Sequence, residues 1–154
     1  MSQIKKELLA PCGLYCGVCS VYKAHKENNI KLKKALIPVY KPIAKTVDDI
    51  SCTGCLSDGI IFPACQICPI RNCTLKKKIE GCHQCEEWPC KYVDNFPIAL
   101  AKKVMLRTIP VWKDLGNEKF VEAEEKRYRC PECGNSLFRG AKKCNKCQAL
   151  IDLD

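Results

Sequence analysis

Long hydrophobic runs are missing from this sequence. No stretch approaches the roughly 20 apolar residues needed to cross a bilayer, and the opening MSQIKKELLAPCG lacks the continuous apolar segment of a secretory signal. The expectation is a soluble, cytoplasmic protein without membrane association. Histidine is scarce as well, limited to His25 and His83, so a Cys–His nucleophile has few partners. The motifs G-x-S-x-G, Walker A and H-E-x-x-H are absent. No catalytic set and no small-molecule substrate can be identified, and the balance lies against an enzyme. Apolar packing material is also thin, because the 47% hydrophobic content includes 15 cysteines. Something besides a greasy core must help hold the fold.

What is abundant is sulfur. Fifteen cysteines in 154 residues is a density found in disulfide scaffolds and in metal-bound domains. In a reducing compartment thiols bind metal in preference to pairing, and the odd count agrees with that. The formal charge of +9 invites a nucleic-acid reading but omits the thiolates. Each four-thiolate zinc site carries a net −2, so three of them would bring the total to about +3. The lysines of KLKK, KKK and KK are also scattered along the chain, as solvated faces usually are.

Helical spacing is strongest in three places. Residues 16–28 read as a short helix carrying Val21, Tyr22 and His25, with Asn28 and Asn29 as its turn. From Ile30 to Val47 apolar residues recur at three and four, interrupted by Pro38 and Pro42, so that helix should break or kink. Beyond Cys90, residues Ile98, Ala101, Val104, Met105 and Ile109 share a face, and a second helix is predicted to start at Asn117 as N-cap and to run to Lys126 and Arg127. Between Ser51 and Cys90 cysteines crowd among prolines and glycines, which predicts loops wrapped around metal. A small repeat lies inside it. Cys65-x2-Cys68-x4-Cys73 is followed by Cys82-x2-Cys85-x4-Cys90, as though two ligand loops face each other.

The tail carries the most specific local signal. Two Cys-x2-Cys knuckles, Cys130/Cys133 and Cys144/Cys147, can complete one zinc tetrahedron, and Gly134 tolerates positive φ after the first. Short strand-like pieces at 128–129, 136–138 and 150–153 flank them, as in a small zinc ribbon.

The eleven cysteines ahead of it allow two four-thiolate sites with three left over. Cys16, Cys19, Cys52 and Cys55 are the first choice for one site, and Cys68, Cys73, Cys82 and Cys85 for the other, with Cys12, Cys65 and Cys90 as alternates. The spacing Cys12-x3-Cys16-x2-Cys19 also matches the cluster motif of radical S-adenosylmethionine enzymes, but the chain has neither the strand–helix alternation of their barrel nor its Gly-rich segments. Cys65-x2-Cys68-Pro69 begins like a ferredoxin run and departs from it at the third cysteine. Tetrahedral sulfur suits both zinc and iron–sulfur clusters, so an iron–sulfur cluster at the N-terminal cysteines, with redox or electron-transfer work, stays open beside zinc.

CGLYCGVC, CTGC at 52–55, CPIRNC at 68–73, CHQCEEWPC at 82–90 and the closing RYRCPECG with CNKC together resemble a family of small, cysteine-rich prokaryotic proteins, uncharacterised and known only as a domain of unknown function, whose members are described as zinc-binding. The resemblance covers nearly the whole chain and matches least over 22–50. It implies zinc through Cys12, Cys16, Cys19, Cys52, Cys55, Cys68, Cys73, Cys82, Cys85 and Cys90, with the ribbon at the end and Cys65 as an addition. It implies no activity.

The resulting expectation is an α+β chain, mostly helical. An irregular cysteine-rich metal-binding domain would occupy 1–127 and a small C-terminal zinc ribbon 128–154. Its structural zinc sites would support a surface for a protein or nucleic-acid partner. Arg129, Arg139, Lys142, Lys143 and Lys146, interleaved with Phe138, are the residues that could track phosphates. Trp88 and Trp112 could anchor a protein or lie buried.

Overall fold

A computed structural model describes residues 4–154, and helices supply nearly all of their regular structure. The opening cysteine motif does not start a long helix. Cys16–Val18 forms one 3-10 turn, closed by the Cys19 amide on the Cys16 carbonyl, and helix α1 spans Ser20–Lys26. Gly13 makes the approach possible, because its φ is +89° and a Cβ there would lie 2.5 Å from Oγ1 of Thr108. Asn28 turns the chain with φ 48°, and Asn29 caps α2 (Ile30–Leu36) by accepting the Leu32 amide at 3.0 Å. The expected break follows, since α2 ends before Pro38 and only a 3-10 turn, Pro38–Tyr40, continues it. Val21, Ala24, Leu36, Ala44, Ile50, Cys52 and Phe62 form the core of this part.

The segment expected to be loops contains more helix than its periodicity suggested. Helix α3 covers Pro63–Gln66 and α4 covers Pro69–Lys77, each with proline in its first turn, where no amide partner is required. A 3-10 turn at Cys82–Gln84 and the short α5 (Lys91–Asp94) complete it.

The longest element is α6 (Ala99–Leu115), which buries Val104, Met105, Thr108, Ile109 and Trp112 at i, i+4 spacing. Ile98 and Leu106 stay exposed. Helix α7 (Asn117–Arg127) packs on it through Phe120 and Val121. Asn117 is not the N-cap predicted for it. Gly116, with φ 80°, holds that position, while the Asn117 carbonyl accepts the Trp112 indole N–H at 2.7 Å and its amide reaches Glu80. Trp112 is 1% exposed and stacks on His83 and Phe120, so it belongs to the core and not to an interface. Glu124 is also 1% exposed and is held by both Nη atoms of Arg107, at 2.7 and 3.3 Å.

The chain is mostly helical, as expected, but the β contribution is smaller. Among the described residues no sheet forms; the tail shows two single antiparallel bridges, Arg129 with Ser136 and Lys143 with Leu150. Each bridge carries an amide hydrogen bond across it, Leu137 to the Tyr128 carbonyl and Ile151 to the Lys142 carbonyl, but neither extends into a ladder. Residues of the tail have a small core of their own in Cys130, Leu137, Ala141, Cys144 and Ile151. The Arg139 amide donates to the Val18 carbonyl at 2.7 Å and its guanidinium to the Tyr15 carbonyl at 3.1 Å, tying the tail to the opening motif.

Candidate metal centres

The four tail cysteines are brought together by two nearly identical turns. Gly134 donates to the Cys130 carbonyl at 2.8 Å, and Gln148 to the Cys144 carbonyl at 2.9 Å. Both donors sit at left-handed φ, 75° for Gly134 and 68° for Gln148. The Cys130 amide then pairs with Asn135 and the Cys144 amide with Ala149. The outcome is a cluster in which the sulfurs of Cys130, Cys133, Cys144 and Cys147 all lie within 4.8 Å of one another. Cys130 and Cys147 are 3.5 Å apart, Cys133 and Cys144 3.7 Å. A tetrahedral ion with metal–sulfur bonds of about 2.3 Å holds its sulfurs about 3.8 Å apart. The amides of Cys147 and Lys146 donate toward Cys144 and lower its thiol, while that of Cys147, against the Ala149 amide, is raised by the sulfurs of Cys130, Cys133 and Cys144, as expected of crowded thiols sharing protons. Cys130 and Cys144 are buried, Cys133 and Cys147 exposed, so this group can hold one metal ion at the surface.

The front cysteines divide into two neighbourhoods. In the first, the Cys55 amide donates to the Cys16 sulfur at 3.4 Å and the Gly54 amide to the Cys52 sulfur at 3.4 Å. Burial, then the thiols of Cys19 and Cys55, push Cys16 well above the usual thiol range. Burial drives Cys12 and Cys65 upward too; Cys55 and Cys68 crowd the former, and Cys55, Cys19 and Cys52 the latter. Cys55 is pushed up to about 11 by burial, against the opposing charge of Arg71. Thiols raised in this way keep their protons until a cation displaces them.

In the second neighbourhood Cys73, Cys82, Cys85 and Cys90 line one cavity. Cys90 is part of that lining and Cys68 is not, although Cys68 lies near enough to help raise Cys82, which burial and its neighbours push up to about 12. No three front cysteines come within 4.8 Å of one another among the described residues. His25 and His83 each bury an Nδ1 without a hydrogen-bond partner, and His83 stacks on Trp112 at 3.7 Å. Cys90, an alternate in the sequence reading, lines this cavity, and Cys68, a first choice, does not. The signal for Cys90 was the repeat, whose second copy enters the cavity whole while the first contributes only Cys73.

Arg139, expected among phosphate-tracking residues, is instead engaged with the Tyr15 and Val18 carbonyls. Arg129, Lys142, Lys143 and Lys146 remain exposed. No helix is long and apolar enough to cross a membrane among the described residues.

The model of one protein family, described as protein of unknown function (DUF3795), matches residues 8–95, more than half of the chain. No curated protein and no solved structure matches it.

Proposed function

Because the chain belongs to the DUF3795 family, whose function is unknown, we propose from its own geometry that it is a zinc-binding protein with structural four-cysteine sites, presenting a surface to a protein or nucleic-acid partner. One observation carries the reading. The tail sulfurs stand 3.5 and 3.7 Å apart across the two knuckles, the edge length of a single zinc tetrahedron. The knuckled hairpins of 128–154, with their own small core, read as a minimal zinc ribbon appended to a cysteine-rich helical domain at 1–127. Cys16, Cys19, Cys52 and Cys55 are linked by the Cys55 amide on Cys16 but do not gather as the tail sulfurs do, so the structural zinc of this reading is the tail's.

Four sulfurs close the coordination sphere and leave no position for a reacting water, so this centre supports structure and not metal-assisted hydrolysis. Beside it, Lys142, Lys143, Lys146 and Arg129 stay exposed and supply the charge a macromolecular partner would meet.

Elemental analysis of the full chain tests the metal. One zinc should be lost when Cys130 and Cys147 are both replaced by serine, and unchanged zinc content would overturn the ribbon. Binding to mixed-sequence DNA or RNA that falls steeply with salt, and that weakens in Lys142→Ala/Lys143→Ala/Lys146→Ala, would identify nucleic acid as the partner. Absence of binding at low salt would leave a protein partner.

A further inference from the structure

Four cysteines from three separate elements surround a cavity of about 470 Å³. Cys73 lies on α4, Cys82 opens one 3-10 turn and Cys85 closes it, and Cys90 precedes α5. The tail shows what this chain does for a single ion, drawing all four sulfurs within 4.8 Å; around the cavity no three cysteines meet that distance among the described residues. One zinc ion needs sulfurs about 3.8 Å apart, whereas a cluster of several iron and sulfide atoms spreads its thiolates and fills the space between them. We propose that Cys73, Cys82, Cys85 and Cys90 bind an iron–sulfur cluster in this cavity.

Two further features fit that occupant. Trp88 lines the cavity, and its indole Nε1 is buried with no acceptor. Cluster sulfides and coordinating thiolates are acceptors for such a donor, and hydrogen bonds of this kind tune the potential. An iron–sulfur cluster with four thiolates is also anionic; Lys77 and Lys91 line the same space, and Lys77 Nζ lies 3.5 Å from the Cys85 sulfur as well as 3.1 Å from Glu87, the one carboxylate among the described lining residues. Ile70, Ile79 and Tyr92 supply an apolar wall. A lone zinc spans only the sulfurs themselves, about 3.8 Å apart, and does not reach across a space of this size.

The test uses the full chain purified without oxygen, then incubated with iron salts, sulfide and a thiol reductant. The expected product is brown, carries roughly two or four iron atoms with matching acid-labile sulfide, and shows iron–iron scattering in X-ray absorption. Cys73→Ser/Cys90→Ser should lose that full complement of iron and sulfide while keeping the tail zinc. Cys130→Ser/Cys147→Ser should do the reverse, so failure here and failure of the ribbon are separable. Trp88→Phe should retain iron and sulfide but shift the reduction potential, which keeps the proposal open to refutation should the cysteine variants not fold. Wild-type protein that takes up zinc but no labile sulfide would overturn it, as would iron and sulfide uptake unchanged in Cys73→Ser/Cys90→Ser.

Discussion

Replacing Arg107 by methionine probes how the cysteine-bearing tail is seated on the helices. Arg107 in α6 holds the buried Glu124 of α7 through Nη1 at 2.7 Å and Nη2 at 3.3 Å. Its Nη2 also donates to the Tyr128 hydroxyl at 3.3 Å, which in turn donates to Asp154 at 2.8 Å, so one guanidinium links both helices to the two ends of the tail. Methionine keeps the stem and leaves the carboxylate without its cation. Breaking a buried pair in this manner costs about 3–5 kcal/mol. The Arg107 side chain is 29% exposed, so water can reach the abandoned carboxylate, and the lower figure of about 3 kcal/mol applies. For a chain of this size that corresponds to a fall in Tm of roughly 6–12 °C. Thermal unfolding of the zinc-loaded protein at pH 7 measures it, with zinc content unchanged because no thiol is touched. The double variant Arg107→Met/Glu124→Leu should recover most of the loss. A single variant as stable as its parent, or a double variant no better than the single, refutes the reasoning.

Gly81 sits where a Cβ would lie 2.6 Å from the Trp112 ring, so Gly81→Ala should cost about 1–3 kcal/mol by overpacking, read from denaturant midpoints. It should also disturb the adjacent Cys82. Asn29→Ala removes the oxygen that accepts the Leu32 amide and should lower stability by about 1 kcal/mol, whereas Asn29→Asp should not. Burial, and then the bond to Asp154, push Tyr128 up to about 12. Its contribution to stability is therefore complete below the ordinary tyrosine range near 10 and is lost as pH rises through about 12. Absorbance titration should show one tyrosine fewer in the late phase of Tyr128→Phe; an unchanged late phase would contradict the assignment.

The tail was legible because every decision in it is local. Cys-x2-Cys fixes two sulfurs on one turn, and a glycine placed after Cys133 supplies the left-handed residue that closes it, with Gln148 adopting the same conformation at the second knuckle. The α6 stripe and the break at Pro38 were legible for the same reason, since spacing of three and four and a missing amide act within one or two turns. Helix α4 went unseen because its sequence, PIRNCTLKK, has no sustained apolar period; only the proline in its first turn marked it.

What spacing could not decide is which distant thiols face one another. Cys73 shares a cavity with Cys82, Cys85 and Cys90 because α4 and the 3-10 turn after Gly81 pack around the same space, and Gly81 itself lies against Trp112 of α6. Asn117 serves the Trp112 indole instead of capping its own helix, and Arg139 serves the opening motif instead of solvent. Such partners are set by long-range packing, and a side chain's local preference yields when a buried donor elsewhere would otherwise go unpaired. Sequence alone determined where the last four thiols would gather; tertiary structure decided the rest, because the separation between the other cysteines depends on how the helices carrying them are held apart.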